Sequence, residues 1–283
     1  MLGNFLYVAG TLLALSLAFV LPERLFPAQR GHKARRWLLN VAYVPVIAGL
    51  ALLLASALAG PAILALSRAS GGLLPAAIAW PGSWGGRLVV VLGYAFLWDL
   101  CQYGSHRLLH GSALLWETHR FHHDETELSA ASQSRVHPLS YVIVFLLQLP
   151  VLAVFAVGPR FAAAAFLVLT LWGFVNHANV RLSFGPLTPV VAGPQWHRIH
   201  HSALPEHQGR NFAVLFPAID ILFGTYYRPA RGEYPPTGVP GPQAPWIEAA
   251  TWGPLAAWRR MGADALRRSR TGSRVRGDGG VAH

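Results

Sequence analysis

Residues 98–110 read WDLCQYGSHRLLH, an apolar helical run that ends in histidines. Two further segments repeat the theme: WETHRFHHDE over 116–125 and QWHRIHH over 195–201. The histidines fall as His106-x-x-x-His110, His119-x-x-His122-His123 and His197-x-x-His200-His201. Helix positions three and four apart share a face. His106 and His110 therefore project together, and each HxxHH covers an arc of about 100° at 3.6 residues per turn. A lone histidine is ordinarily a satisfied core or surface residue. Three such clusters are a different signal, because a tetrahedral zinc site takes four ligands and eight imidazoles are enough for two metals. Neutral imidazole suits iron, copper, nickel and zinc.

The same stretch carries Asp99 and Tyr103 on one stripe with His106 and His110, at i, i+4, i+7 and i+11. A carboxylate in an apolar helix needs a partner, and one that accepts the spare N–H of a ligand histidine fixes its tautomer. Asp99 and Tyr103 are thus the expected supporting residues of the site. Asp124, Glu125 and Glu127 follow the second cluster, either to offset metal charge or as solvated acids.

Outward from the histidines the chain is built for a bilayer. Of its 283 residues 53% are hydrophobic and 12% charged, against about 25% charged in soluble domains. Five apolar stretches approach the roughly 17–25 residues of a span: Leu2–Val20, Leu38–Leu58, Leu88–Tyr103, Leu139–Val157 (with Pro150 expected to kink it) and Phe161–Val175. The third and fifth are short and are expected to run on into polar sequence. The first lacks a basic leader, and its first basic residue, Arg24, follows the apolar run, so it reads as a retained helix rather than a signal peptide.

The net charge of +11 is almost all arginine. It flanks apolar spans or lies in the C-terminal tail, without a nucleic-acid-binding motif, which argues against nucleic acid and for orientation in the membrane and contact with anionic lipid. Arg24, Arg30, Lys33, Arg35 and Arg36 against Glu23 place the first loop in the cytoplasm and the N-terminus outside. Counting spans from there puts Gly104–Pro138 and everything after Asn176 inside, with Arg68, Arg87 and Arg160 opposite. All three clusters then share the cytoplasmic face, although no histidine entered the charge count. The single cysteine, Cys101, excludes an internal disulfide. The expected fold is an all-α membrane bundle of four to five transmembrane helices, with a cytoplasmic helical cap carrying the histidines. It divides into N-terminal spans and basic loop (1–87), di-metal region (88–230) and basic Pro/Gly/Trp-rich tail (231–283). Within the tail, Leu255–Arg270 can form an amphipathic surface helix, with Trp258, Met261 and Ala265 opposite Arg259, Arg260 and Arg267. Thr271–His283 reads as disordered.

The order of motifs, continued by SRVHP, NHANVRLSFGPL and HHSALPEHQGRNFAVLFPAIDILFGTYYRP, resembles the fatty acid hydroxylase / sterol desaturase family of integral membrane oxygenases, from about Trp98 to Pro229. The resemblance implies that His106, His110, His119, His122, His123, His197, His200 and His201 are metal ligands. His177, in NHAN, fits a further ligand, and Asn176 or Asn179 stands where another histidine is expected. His137, in RVHP, matches a family feature and is an additional candidate. His207 is unassigned, and His32 and His283 lie outside the resemblance.

The implied activity is O2-dependent hydroxylation of an unactivated lipid C–H bond by two iron ions, for which zinc can substitute in purified protein. Two electrons come from a separate donor, ferredoxin- or cytochrome-like, docking on the basic face, because the chain has no flavin or dinucleotide motif and no haem appendage. Three residues between His106 and His110 tilt the substrate towards a sterol-like lipid, with fatty acyl and other isoprenoid lipids as alternatives. Phe121, Trp172, Phe174 and Trp196 lie beside the ligands as core or as substrate path. A desaturase would use the same centre. A zinc hydrolase would need the general-base Glu of HExxH, where Arg120-Phe121 and Arg198-Ile199 stand here. A metal transporter or lipid carrier would place its ligands near the bilayer midplane.

Overall fold

The computed structural model describes residues 2–59, 61, 82–155 and 159–277; Arg68 and His283 lie outside them. The apolar stretches of the sequence become helices: α1 (Leu2–Ala18), continued by α2 (Val20–Leu25); α3 (Ala34–Leu54), continued by a π-helical turn (Ala55–Ala59); α4 (Trp84–Gly111); α6 (Pro138–Phe155, with Pro150 inside it); and α7 (Pro159–His177). The histidine-bearing segments form the short helices α5 (Ala113–His123) and α8 (Pro194–His200). Three more follow among the described residues: α9 (Ala218–Leu222), α10 (Trp246–Ala250) and α11 (Gly253–Gly277). Among the described residues there are isolated bridges, Pro27 with Val180 and Ser202 with Thr237, but no strand.

Three helical segments, Leu2–Leu25, Ala34–Leu58 and Trp84–Gly111, are long and apolar enough to cross a membrane. Pro138–Val151 and Leu167–His177 are apolar but shorter within the described residues. Leu6, Tyr7, Leu17 and Leu21 on α1–α2, and Leu88, Val89 and Leu92 on α4, are exposed. Exposed apolar side chains on helices of this length are a liability in water and are what lipid tails solvate. Inward, Ala9 and Leu12 of α1 meet Val44 and Ala48 of α3, Phe174 and Ala178 at the end of α7, and Ala130 of a 3-10 turn (Ala130–Ser134).

The short connections position the site. α4 ends at Gly111, and Ser112 at once caps α5, its hydroxyl accepting from Leu115 N. One residue between two helices holds the last turn of α4 against α5, so the first two clusters must face each other. Pro194 occupies the first turn of α8, where its missing N–H is harmless, and Gly193 before it is required by space: a Cβ there would lie 2.7 Å from the Phe184 ring.

The C-terminal helix is anchored through its apolar face, with Trp258 Nε1 donating to Leu114 O of α5 at 2.8 Å. It also continues through Gly277, past Thr271, where disorder is expected from the sequence. Arginine and alanine dominate 263–270 and favour helix, and Gly272 alone does not end it.

Candidate metal centre

Nine histidines converge in two groups. His106, His110, His119, His123 and His200 form one; His122, His177, His197 and His201 form the other; within each, one nitrogen per ring lies within 4.8 Å of all the others. The His123 and His201 rings stack between the groups, with centroids 4.4 Å apart. Each group draws on three or more elements. The HxxHH clusters are divided between groups rather than each serving one, because adjacent residues point about 100° apart on a helix.

Backbone carbonyls fix the tautomers. Nδ1 of His106 faces Phe212 O (2.9 Å), of His122 Arg135 O (3.1 Å), of His177 Gly173 O (2.8 Å) and of His200 Arg210 O (2.8 Å). A carbonyl can only accept, so each Nδ1 carries the proton and each Nε2 presents a lone pair inward. Those of His106 and His200 are buried without a hydrogen-bond partner, as are Nε2 of His119 and both nitrogens of His201. His122 and His177 set Nε2 against Nε2 at 3.1 Å, two lone pairs that cannot bond each other. His177 Nε2 lies 3.2 Å from His197 Nε2, and His110 Nε2 lies 3.1 Å from His123 Nε2. Two nitrogens bonded at about 2.1 Å to one ion, at 90–109°, stand roughly 3.0–3.4 Å apart. Converging ring nitrogens at that spacing, four of them acceptors by tautomer, fit metal ions. Burial first, then the neighbouring imidazoles, hold His119, His122, His123, His197, His200 and His201 well below 6.5, in the neutral form that metal needs.

The supporting residues differ from those expected. Asp99 is fully buried but touches no ring: its carboxylate accepts from the backbone N–H of Val214 (2.7 Å), Leu215 (2.9 Å) and Phe216 (2.6 Å). Asp220 takes the two preceding N–H groups, Phe212 (2.8 Å) and Ala213 (2.9 Å). Two carboxylates thus grip five consecutive amides. The carbonyls of this segment, and of Arg210 just before it, point the other way: Phe212 O and Arg210 O hold His106 and His200, and Val214 O accepts from Asn176 Nδ2.

Tyr103 likewise makes no hydrogen bond to a histidine among the described residues. Its hydroxyl bonds Thr225 and Arg107, and its ring lies edge-on to Phe212 and stacked on Phe223, buttressing the same segment from behind. Asn211 enters the segment at φ 61°, a left-handed conformation that asparagine tolerates, with its amide bonded to Trp196 O and to both backbone groups of Tyr227. The sequence reading missed Asp220 and Asn211. An asparagine beside arginine in GRNF was the available signal for a turn.

His137 belongs to neither group. Its Nε2 faces Thr251 O at 2.8 Å and its Nδ1 accepts from Leu139 N, so it joins the start of α6 to the C-terminal region. His207 bonds Ser202 and Glu233, and His32 lies at a separate cavity. Of the three acids after the second cluster, Glu125 is buried against Arg36, Arg135 and Asn40, while Arg135 also donates to Phe121 O and supplies the carbonyl for His122.

A cavity of about 200 Å³ lies against both groups, touching His106 and His119 of one and His122, His177 and His197 of the other. Its walls come from α1, α3, α4, α6 and α7, among them Leu12, Ile47, Trp98, Phe145 and Leu169. Phe174 lines it, whereas Phe121, Trp172 and Trp196 do not and pack elsewhere. Gly173 makes room for Gln133, whose amide would meet a Cβ there. Gln148 donates to Gln102 across α6 and α4 in the same wall.

Among the described residues the scaffold is all-helical, with three apolar helices of membrane length and two polyhistidine groups that could each hold a metal ion. Residues 91–225, just under half of the chain, match the fatty acid hydroxylase family model. It is 30% identical over 167 residues to the ornithine lipid hydroxylase OlsE of Rhizobium tropici, covering 57% of this chain and 49% of that protein. It is 27% identical over 128 residues to alkylglycerol monooxygenase of Homo sapiens, 45% of this chain and 28% of that one. It is 30% identical over 144 residues to the very-long-chain aldehyde decarbonylase GL1-11 of Oryza sativa subsp. indica, 48% and 51%. The chain therefore spans about half, or less, of the length of these relatives. No solved structure matches it.

Proposed function

We propose that this chain is a membrane-bound di-iron oxygenase that hydroxylates an unactivated C–H bond of a lipid. The observation that carries the reading is one apolar cavity walled by histidines of both groups. His106, His110, His119, His123 and His200 would hold one iron, and His122, His177, His197 and His201 the other. When bound, the irons supply O2 reduction and C–H oxidation, with the overall balance RH + O2 + 2 e⁻ + 2 H⁺ → ROH + H2O. The chain's own residues do the rest. The carbonyls of Phe212, Arg135, Gly173 and Arg210 hold the rings in register. The walls of α3, α4, α6 and α7 exclude water and align the chain of the substrate beside the histidines.

The cavity is small beside the roughly 300–1,000 Å³ of ordinary small-molecule sites, which suits one unbranched chain segment better than a sterol skeleton. The names of two relatives, ornithine lipid hydroxylase and alkylglycerol monooxygenase, point the same way. The substrate class we assign is therefore a chain-bearing polar lipid entering from the bilayer. The test is mass analysis of lipids incubated with iron-loaded protein, O2 and a reductant. Gain of one oxygen supports the proposal; loss of two hydrogens assigns desaturation; no change in lipid mass rejects the oxygenase.

The topology we propose has four to five spans, the N-terminus outside, and the histidine clusters and C-terminus in a cytoplasmic cap, supported by Arg24, Arg30, Lys33, Arg35 and Arg36 on the first loop. The division at 87 and 230 is retained with one addition: α1 and α3 of the first part wall the cavity of the second. Electrons are assigned to a separate acidic carrier steered to the basic face. Turnover with such a carrier is expected to fall as ionic strength rises through the range where the Debye length drops below about 10 Å; a salt-independent rate contradicts this docking.

A further inference from the structure

A second cavity, of about 510 Å³, lies away from the histidine groups, where the α1–α2 segment ends and α3 begins. Arg24, Arg30 and Lys33 line it together with His32 and Trp37. The two carboxylates in its wall are already engaged. Glu23 accepts from Ala130 N (2.7 Å) and Asn179 N (2.9 Å), and Glu127 accepts from Lys33 N (2.6 Å) and faces Arg36 at 3.8 Å.

The donors are not engaged. Trp37 Nε1 and His32 Nε2 are buried with no hydrogen-bond partner. The His32 nitrogen is a donor by elimination. The Asn179 amide is oriented by Gln29, its Oδ1 accepting from Gln29 N and its Nδ2 donating to Gln29 O, so Nδ2 is the atom that meets His32 Nδ1 at 3.5 Å and leaves the proton on Nε2. Arg24 and Arg30 have no carboxylate partner among the described residues. The residues of the wall thus carry two unpartnered N–H donors and three cations against two carboxylates. Only an anionic group rich in acceptors answers that set, and an unmet buried N–H otherwise costs about 1–3 kcal/mol.

We propose that this cavity binds the phosphate of an anionic membrane phospholipid. The cavity opens where two candidate spans, Leu2–Leu25 and Ala34–Leu58, leave the apolar zone, at the depth where lipid phosphates lie. This cavity and the one against the histidine groups share no lining residue, so the bound lipid is a separate ligand and not the substrate.

The test is thermal unfolding of the full chain in detergent, with dioleoylphosphatidylglycerol, dioleoylphosphatidylcholine or inorganic phosphate added. Phosphatidylglycerol is expected to raise the midpoint saturably, by at least about 3 °C, and the other two are not. The shift is expected to vanish in Arg30→Gln/Lys33→Gln and in Trp37→Phe, and to persist in Arg35→Gln, which carries its charge outside the cavity. Unchanged metal content in each variant shows that it is folded. An equal shift with phosphatidylcholine, or its loss in Arg35→Gln, or its survival in the cavity variants, overturns the site. An equal shift with inorganic phosphate overturns the lipid source.

Discussion

Replacing His177 by alanine is expected to remove one of two bound metal ions and to lower turnover at least about 100-fold. His177 is the hub of the four-histidine group, its Nε2 facing Nε2 of both His122 (3.1 Å) and His197 (3.2 Å). Without it three imidazoles remain, and His122 and His197 lose the neighbour that brackets an ion between them. Loss even of a residue that only orients a ligand lowers metal affinity about 10–100-fold, and loss of a ligand is expected to exceed that. The five-histidine group shares no histidine with this one and is expected to keep its ion, so metal analysis should fall from about two per chain to about one. His137→Ala is the matched control. Its ring caps α6 and bonds Thr251 O, outside both groups, and the variant is expected to retain both ions.

The second large effect is expected of Asp99→Asn. The native carboxylate accepts three backbone N–H groups at 2.6–2.9 Å in a site with no solvent exposure. The amide replaces one accepting oxygen with a donor, which then points at another donor. With about 1–3 kcal/mol for each buried group left unpaired, and more where the lost bond was charge-assisted, destabilisation of about 3 kcal/mol is expected. The effect should reach the metals as well. Once Val214–Phe216 loosens, Phe212 O and Arg210 O no longer hold His106 and His200, and retention of metal against a chelator is expected to weaken about 10–100-fold. A lowered melting midpoint with unchanged metal retention would show that Asp99 stabilises the fold without acting on the site.

This second prediction marks the edge of what the sequence conveys. The helices were legible because apolar runs of membrane length leave few other structures. The three clusters were legible because spacings of three and four force rings onto one face. His177 stands twenty residues before His197, so no local period reveals it, and it entered only through family resemblance. Asp99 was rightly marked as needing a partner. The stripe at i, i+4, i+7 and i+11 places that partner on its own helix, whereas the partners are amides of residues 214–216, more than a hundred positions away. The groups that orient the histidines are backbone carbonyls, which every residue carries, so no residue type at Phe212, Arg135 or Arg210 could announce them. Asp220 was illegible for the same reason, since its role is set by the backbone it meets.

The most direct measurement is the metal content of the wild-type chain, purified in detergent from iron-replete cells and counted per polypeptide by elemental analysis. One ion in each of the two histidine groups is expected, about two per chain, with iron predominant, or zinc exchangeable for iron on reconstitution. A folded chain that holds one ion or none, and takes up no more when iron is supplied under reducing conditions, would contradict the two-metal centre on which the proposed chemistry depends.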